Sequence, residues 1–184
     1  MTTGATEPQD RGTVSALRRP PIRQSTVVAS TRTHTFEVFT RRMADWWPVV
    51  PFSYGGERVR SIRLEEATGG EVVEVWDDGT TRVWGEVVEW DPPTGLTMTW
   101  NVTGTPTLVT LRFLAVADGL TRVELEHHGW ERLTEAELGA DCALPGGYDG
   151  GAFHEGWRRV LDRFRTAVED TSSTHHDRQQ EDEA

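Results

Sequence analysis

The chain has 184 residues and a mass of 20.7 kDa, enough for one domain whose core needs no disulfide or metal staple. Its net charge of −11 excludes a general affinity for nucleic-acid phosphate or an anionic membrane, and its cations are all arginine, so no Schiff-base or P-loop lysine is present. The single cysteine, Cys142, excludes an internal disulfide and a multi-cysteine zinc site, and no run approaches the ~18 apolar residues of a membrane span. The N-terminus is polar and lacks the apolar core of a signal peptide, which places the expected class among soluble cytoplasmic proteins.

Residues 1–24 show no periodic hydrophobicity, carry +2, and read as a disordered arm. Residues 25–168 read as the folded domain, and the strongly acidic residues 169–184 as a disordered tail. Within the domain, Ser25–Thr31 reads as a first strand. Phe36, Phe39, Met43 and Trp46 then recur at helical spacing, predicting a helix over Thr35–Trp47 with Thr33 or Thr35 as N-cap, stopped by Pro48 and Pro51. From Gly56 the period changes to two. Arg58–Glu65 is one candidate strand, and Glu71–Trp76 and Thr81–Trp90 flank Asp77-Asp78-Gly79, a hairpin signal because Asp-Gly tolerates positive φ. Three more alternating runs follow, around Leu96–Trp100, Val109–Phe113 and Val123–His127. Their sum is an antiparallel meander of six or seven strands with one buried face. Phe153, Trp157, Val160, Leu161, Phe164 and Val168 then mark a long C-terminal helix. Thr134–Gly151, ahead of it, is expected to form a lid or a short helix.

Strand, helix, meander and long final helix is an order that resembles the helix-grip fold of the START-like (SRPBCC) superfamily. Five local motifs narrow the resemblance: Met43-Ala44-Asp45-Trp46-Trp47, Gly85 to Pro93, Leu96 to Trp100, Thr121 to Trp130, and Glu155-Gly156-Trp157. Together they are similar to the family named after the activator of heat-shock protein ATPase, over roughly residues 25–168. The resemblance implies an α+β fold in which a curved antiparallel sheet wraps around the C-terminal helix and leaves a cavity between them.

Three functions follow as expectations. The first is a binding protein whose cavity takes a small apolar or aromatic ligand, lined by Trp47, Met98, Trp100, Phe113, His127, Phe153, Trp157 and Leu161. The second is an interaction module, a homodimer or a chaperone partner. If Val73, Val75, Val83 and Val87 face inward, alternation sends Trp76 and Trp84 to the outer face as a candidate interface, with Glu74 and Glu86 in a solvated charge lattice beside them. The third is an enzyme of polyketide cyclase or aromatase type with His127 as acid or base. Against it, most inward histidines are hydrogen-bonded structural groups, and no catalytic residue is assigned. His127 and His128 point to opposite faces and cannot chelate one ion together, so neither metal nor cofactor is expected. Tyr54 and Tyr148 lie in segments that can border the cavity. No G-x-S-x-G elbow or glycine-rich phosphate loop is present, and Asp141 beside Cys142 disfavours a thiolate nucleophile.

Overall fold

The computed structural model describes residues 19–140 and 143–182, the last ten of these as helical backbone only. Residues 1–18 of the expected arm, residues 183–184 of the expected tail, and Cys142 lie outside the described residues. The first element among the described residues is strand β1 (Ile22–Val28), which starts ahead of the boundary expected at residue 25. Helices α1 (Arg32–Arg41), α2 (Met43–Trp46) and α3 (Val49–Phe52) follow. The single helix expected over Thr35–Trp47 is therefore split at Arg42. Its cap is Thr31, whose side chain accepts from the His34 amide, and neither Thr33 nor Thr35 fills that place.

Six strands then form the meander: β2 (Val59–Leu64), β3 (Glu71–Trp76), β4 (Thr81–Asp91), β5 (Gly95–Trp100), β6 (Thr107–Ala117) and β7 (Leu120–His128). All neighbours pair antiparallel in the order β1-β7-β6-β5-β4-β3-β2. The α1–α3 segment carries the chain from one sheet edge to the other. At the β3–β4 hairpin, Gly79 takes φ +83° and Asp78 Oδ1 accepts from the Thr80 amide, as the Asp-Gly signal implies. The polar stretch before the last helix contains the short α4 (Glu135–Gly139), fastened by a Thr134–Glu137 capping box. Helix α5 (Ala152–Asp182) closes the fold, its backbone passing the end expected at 168.

This is the helix-grip arrangement, with a curled seven-strand sheet around α5. The apolar stripe of α5 is buried from Phe153 to Val168, against inward Leu96, Met98, Leu111, Phe113, Val123 and Leu125. Its other face carries the exposed Arg158–Glu155 and Arg158–Asp162 pairs, which contribute little to stability.

One strand pair departs from simple alternation. Val72 pairs with Gly85 but Val73 pairs with Val83, so Trp84 is the extra residue of a β-bulge. Val72, Glu74 and Trp84 are buried, whereas Val83 is exposed and Val73 and Val75 are only half-buried. The expected phase of β3 is thus reversed. Trp84 is a core residue and does not stand on the outer face, and Glu74 leaves the surface lattice for the interior while Glu86 stays exposed. Trp76 is half-buried, covered by the Arg58 guanidinium 4.0 Å from its ring centre. The exposed tryptophan pair that suggested an interface does not exist in the structure.

Candidate functional site

Helix α2 ends on Trp46, Trp47 follows as its extended C-cap residue, and both indoles turn inward. Trp46 donates to the Val38 carbonyl and packs on Phe39 and Phe164, within the core. Trp47 donates to the Phe52 carbonyl at 2.8 Å, which fixes the ring against the α3 turn. Beyond it lie three more indoles. Ring centres are 4.8 Å apart for Trp47–Trp84, 5.8 Å for Trp84–Trp100, 5.1 Å for Trp100–Trp157 and 6.2 Å for Trp157–Trp47. Four tryptophans, one just past the end of α2 and one each from β4, β5 and α5, thus close into a ring of tilted and edge-on contacts.

A partly open cavity of about 280 Å³ is lined by these four indoles. Phe153, Gly156 and Val160 of α5 form its floor, Pro51 to Tyr54 one rim, and Val102 and Ala143 the other. Its size sits near the lower end of small-molecule pockets, ~300–1,000 Å³. Gly156 leaves room for Phe52, whose ring would be 3.2 Å from a Cβ at that position. A larger groove of about 590 Å³ runs over β1, β6 and β7, but Arg23, Arg112, Glu124, Glu126 and His128 make it polar. Within it Arg23 already pairs with Glu126, so it lacks the apolar wall of a ligand pocket.

Two buried polar centres hold the cavity wall in place. Glu74 has no exposed surface, and its carboxylate accepts four N–H groups. Oε1 takes Gly55 N at 2.8 Å and Trp76 Nε1 at 2.6 Å, while Oε2 takes Tyr54 N at 3.1 Å and Trp84 Nε1 at 2.8 Å. One side chain therefore ties the rim segment to the cavity wall. Gly55 is required here, because a Cβ would stand 2.3 Å from Trp76 Nε1. Burial and the Glu74 charge raise the pKa of the Tyr54 phenol, so its hydroxyl stays protonated at the rim.

The second centre is His127, buried on β7 as its alternation implies. Trp157 Nε1 donates to its Nδ1 at 2.9 Å, which leaves the neutral-ring proton on Nε2 for Thr107 Oγ1 at 2.7 Å. The Thr107 hydroxyl in turn donates to the Trp100 carbonyl at 3.2 Å. Burial, aided by His128, depresses the His127 pKa to about 3. With both nitrogens committed and no place on the cavity wall, His127 is a support for Trp157 and Trp100, and the acid/base role considered for it has no access to a substrate.

Of the residues expected to line the cavity, Trp47, Trp100, Phe153 and Trp157 do so. Met98, Phe113 and Leu161 are buried in the core behind it. The expectation missed Trp84, hidden by the bulge, and the rim residues Pro51, Phe52, Ser53 and Val102, which lie outside the periodic strands. Tyr54 reaches the rim as expected, whereas Tyr148 packs on Trp130 and donates to the Pro20 carbonyl. Among the described residues no cluster of three or more His, Cys, Asp or Glu is arranged to hold a metal ion, and no helix is long and apolar enough to cross a membrane.

A family model described as "Activator of Hsp90 ATPase homolog 1-like protein" matches residues 29–169. Among solved structures, an anthrahydroquino-gamma-pyrone synthase complexed with SUM is similar at 34% identity, with a TM-score of 0.55, over 81% of this chain and 97% of that one. A self-sacrificing resistance protein from Micromonospora echinospora matches at 21% identity and TM-score 0.58, over 83% of this chain and 96% of that one. A Bacillus halodurans protein matches at 20% identity and TM-score 0.56, over 83% and 99%. The last two share the fold. Among curated proteins, none matches the sequence.

Proposed function

The chain belongs to the Activator of Hsp90 ATPase homolog 1-like family, and from that premise we propose that it binds a flat, fused-ring small molecule of aromatic polyketide type in the tryptophan-ringed cavity. The observation that carries this reading is the ring of four indoles around an open apolar space. Three of them, Trp47, Trp84 and Trp157, have their N–H groups held by the protein, so their faces and edges are preorganised for another aromatic plane. The synthase at 34% identity, whose name denotes a fused aromatic product, supports the same chemical class. Binding is favoured over acid/base catalysis because His127 is sealed. Ser53 Oγ, at the rim, already donates to the Val49 carbonyl and accepts from the Gly56 amide. With Trp84 buried, no exposed tryptophan pair favours an interaction module, and the family match is the ground that remains for one.

The test is a titration with 9-fluorenone, a rigid three-ring probe, followed by indole emission. Saturable quenching is expected in the wild type. It should be lost in Val102→Trp, which plugs the rim from a position 36% exposed and hence tolerant of substitution. Quenching that does not saturate, or that Val102→Trp leaves unchanged, contradicts the reading.

A further inference from the structure

We propose that Trp100 is the hydrogen-bond donor of the cavity, and that the ligand it selects carries an acceptor oxygen, a carbonyl or phenolate, on its buried edge. This rests on the aromatic-ligand reading of the cavity and sharpens it. Six of the eight indoles, those of Trp46, Trp47, Trp76, Trp84, Trp130 and Trp157, donate to protein acceptors at 2.6–3.0 Å. Trp90 is half-buried beside Phe36, away from the cavity. Trp100 is different. It lines the cavity, is only 7% exposed, and has no protein acceptor for its N–H among the described residues. No fully buried side-chain nitrogen or oxygen among the described residues lacks a partner. Trp100 Nε1 is therefore not sealed in the core, and the space that its ring borders is the cavity.

The donor is also held still. The Trp100 carbonyl is tied through Thr107 to His127, and its ring is packed between Trp84 and Trp157. An indole N–H can only donate, so it favours ligands with an oxygen acceptor over hydrocarbons of the same shape. Few, fixed polar groups in an apolar wall are what give such pockets their orientation and specificity. Tyr54 supplies a hydroxyl at the rim, so in this reading the Trp100 N–H addresses the inner end of the ligand and the rim its outer end.

The probes are 9-fluorenone and fluorene, which share a three-ring plane and differ by one carbonyl. Their dissociation constants are measured by calorimetry for the wild type and Trp100→Phe, which keeps an aromatic wall and removes the N–H. The fluorenone-to-fluorene preference should fall by about tenfold in Trp100→Phe, the size of one net hydrogen bond. A second readout needs only the wild type: one indole N–H proton resonance should move downfield with fluorenone and stay in place with fluorene. If both probes bind, the preference survives Trp100→Phe and no indole N–H responds, the donor assignment is overturned and the aromatic-ligand reading stands. If neither probe binds, both are overturned.

Discussion

Replacing Glu74 by glutamine tests the internal wiring of the site with almost no change of shape. The four N–H groups that converge on Glu74 divide two to each oxygen: Gly55 N and Trp76 Nε1 on Oε1, Tyr54 N and Trp84 Nε1 on Oε2. A glutamine amide offers one acceptor oxygen and one donor NH₂. Whichever way it turns, two N–H groups face another donor in a site without exposed surface. Each lost hydrogen bond to a charged group is worth ~1.5–3 kcal/mol, and part of this returns because a charge no longer has to be desolvated. The net loss is about 3 kcal/mol. At ~2–4 °C per kcal/mol for a chain of this size, Tm should fall by about 6–12 °C. Differential scanning calorimetry gives the number, and near-UV circular dichroism should change with it as Trp84 loses its acceptor. Glu86→Gln is the control, since Glu86 is exposed and its substitution should cost less than ~0.5 kcal/mol. A Glu74→Gln variant melting within about 2 °C of the wild type, or a Glu86→Gln variant falling as far, would refute the argument.

The pH dependence of stability should report His127. Its ordinary pKa of 6.5 is lowered to about 3 in the folded chain, so the unfolded state binds more protons between these values. The stabilisation is complete above pH 6.5 and is lost as the pH falls, at no more than ~1.4 kcal/mol per pH unit. Urea titrations should show this decline in the wild type and a flatter profile for His127→Gln between pH 6.5 and 4.5. Glu137, which Thr134 and Thr105 hold down to about 2, and Glu155, which Arg158 and Arg159 hold down to about 2, add their own losses only below 4.5. Thr107→Val removes the acceptor of the His127 Nε2 proton and should cost ~1–3 kcal/mol in the same urea assay, the penalty of an unsatisfied buried donor. Gly85→Ala should fail to give a soluble folded protein, because its Cβ would stand 1.7 Å from the Thr99 carbonyl oxygen. A normal thermal transition for that variant would show that β4 and β5 can separate there.

The elements and the inner face of β5, β6 and β7 are legible in the sequence because alternation runs unbroken through them. Leu96, Met98 and Trp100, then Val109, Leu111 and Phe113, then Val123, Leu125 and His127 all prove buried. The β3–β4 hairpin is not legible by the same rule. Two valines, Val73 and Val75, make a more apolar face than Val72 and Glu74, so hydrophobicity selects the wrong phase. The true phase depends on donors that meet Glu74 only in three dimensions, two of them backbone amides 19 and 20 residues earlier in the chain. The bulge then turns Trp84 into the wall of the cavity, a local event that no period of two can signal. The rest of the rim escapes for a related reason: Pro51 to Ser53 and Val102 stand outside the strands, in segments whose placement is set by what they cap. The convergence of Trp47, Trp100, Phe153 and Trp157 is recoverable, because each sits at the inward phase or the end of a strongly periodic element.

The account stands most directly on where a fused-ring molecule sits. An isotope-filtered NOE spectrum of the chain with 9-fluorenone should show contacts from probe protons to the rings of Trp100, Trp157 and Phe153. Contacts confined to the polar groove, at Thr110 or Arg112, or no intermolecular contacts at saturating probe, would contradict a ligand site built from the tryptophan ring.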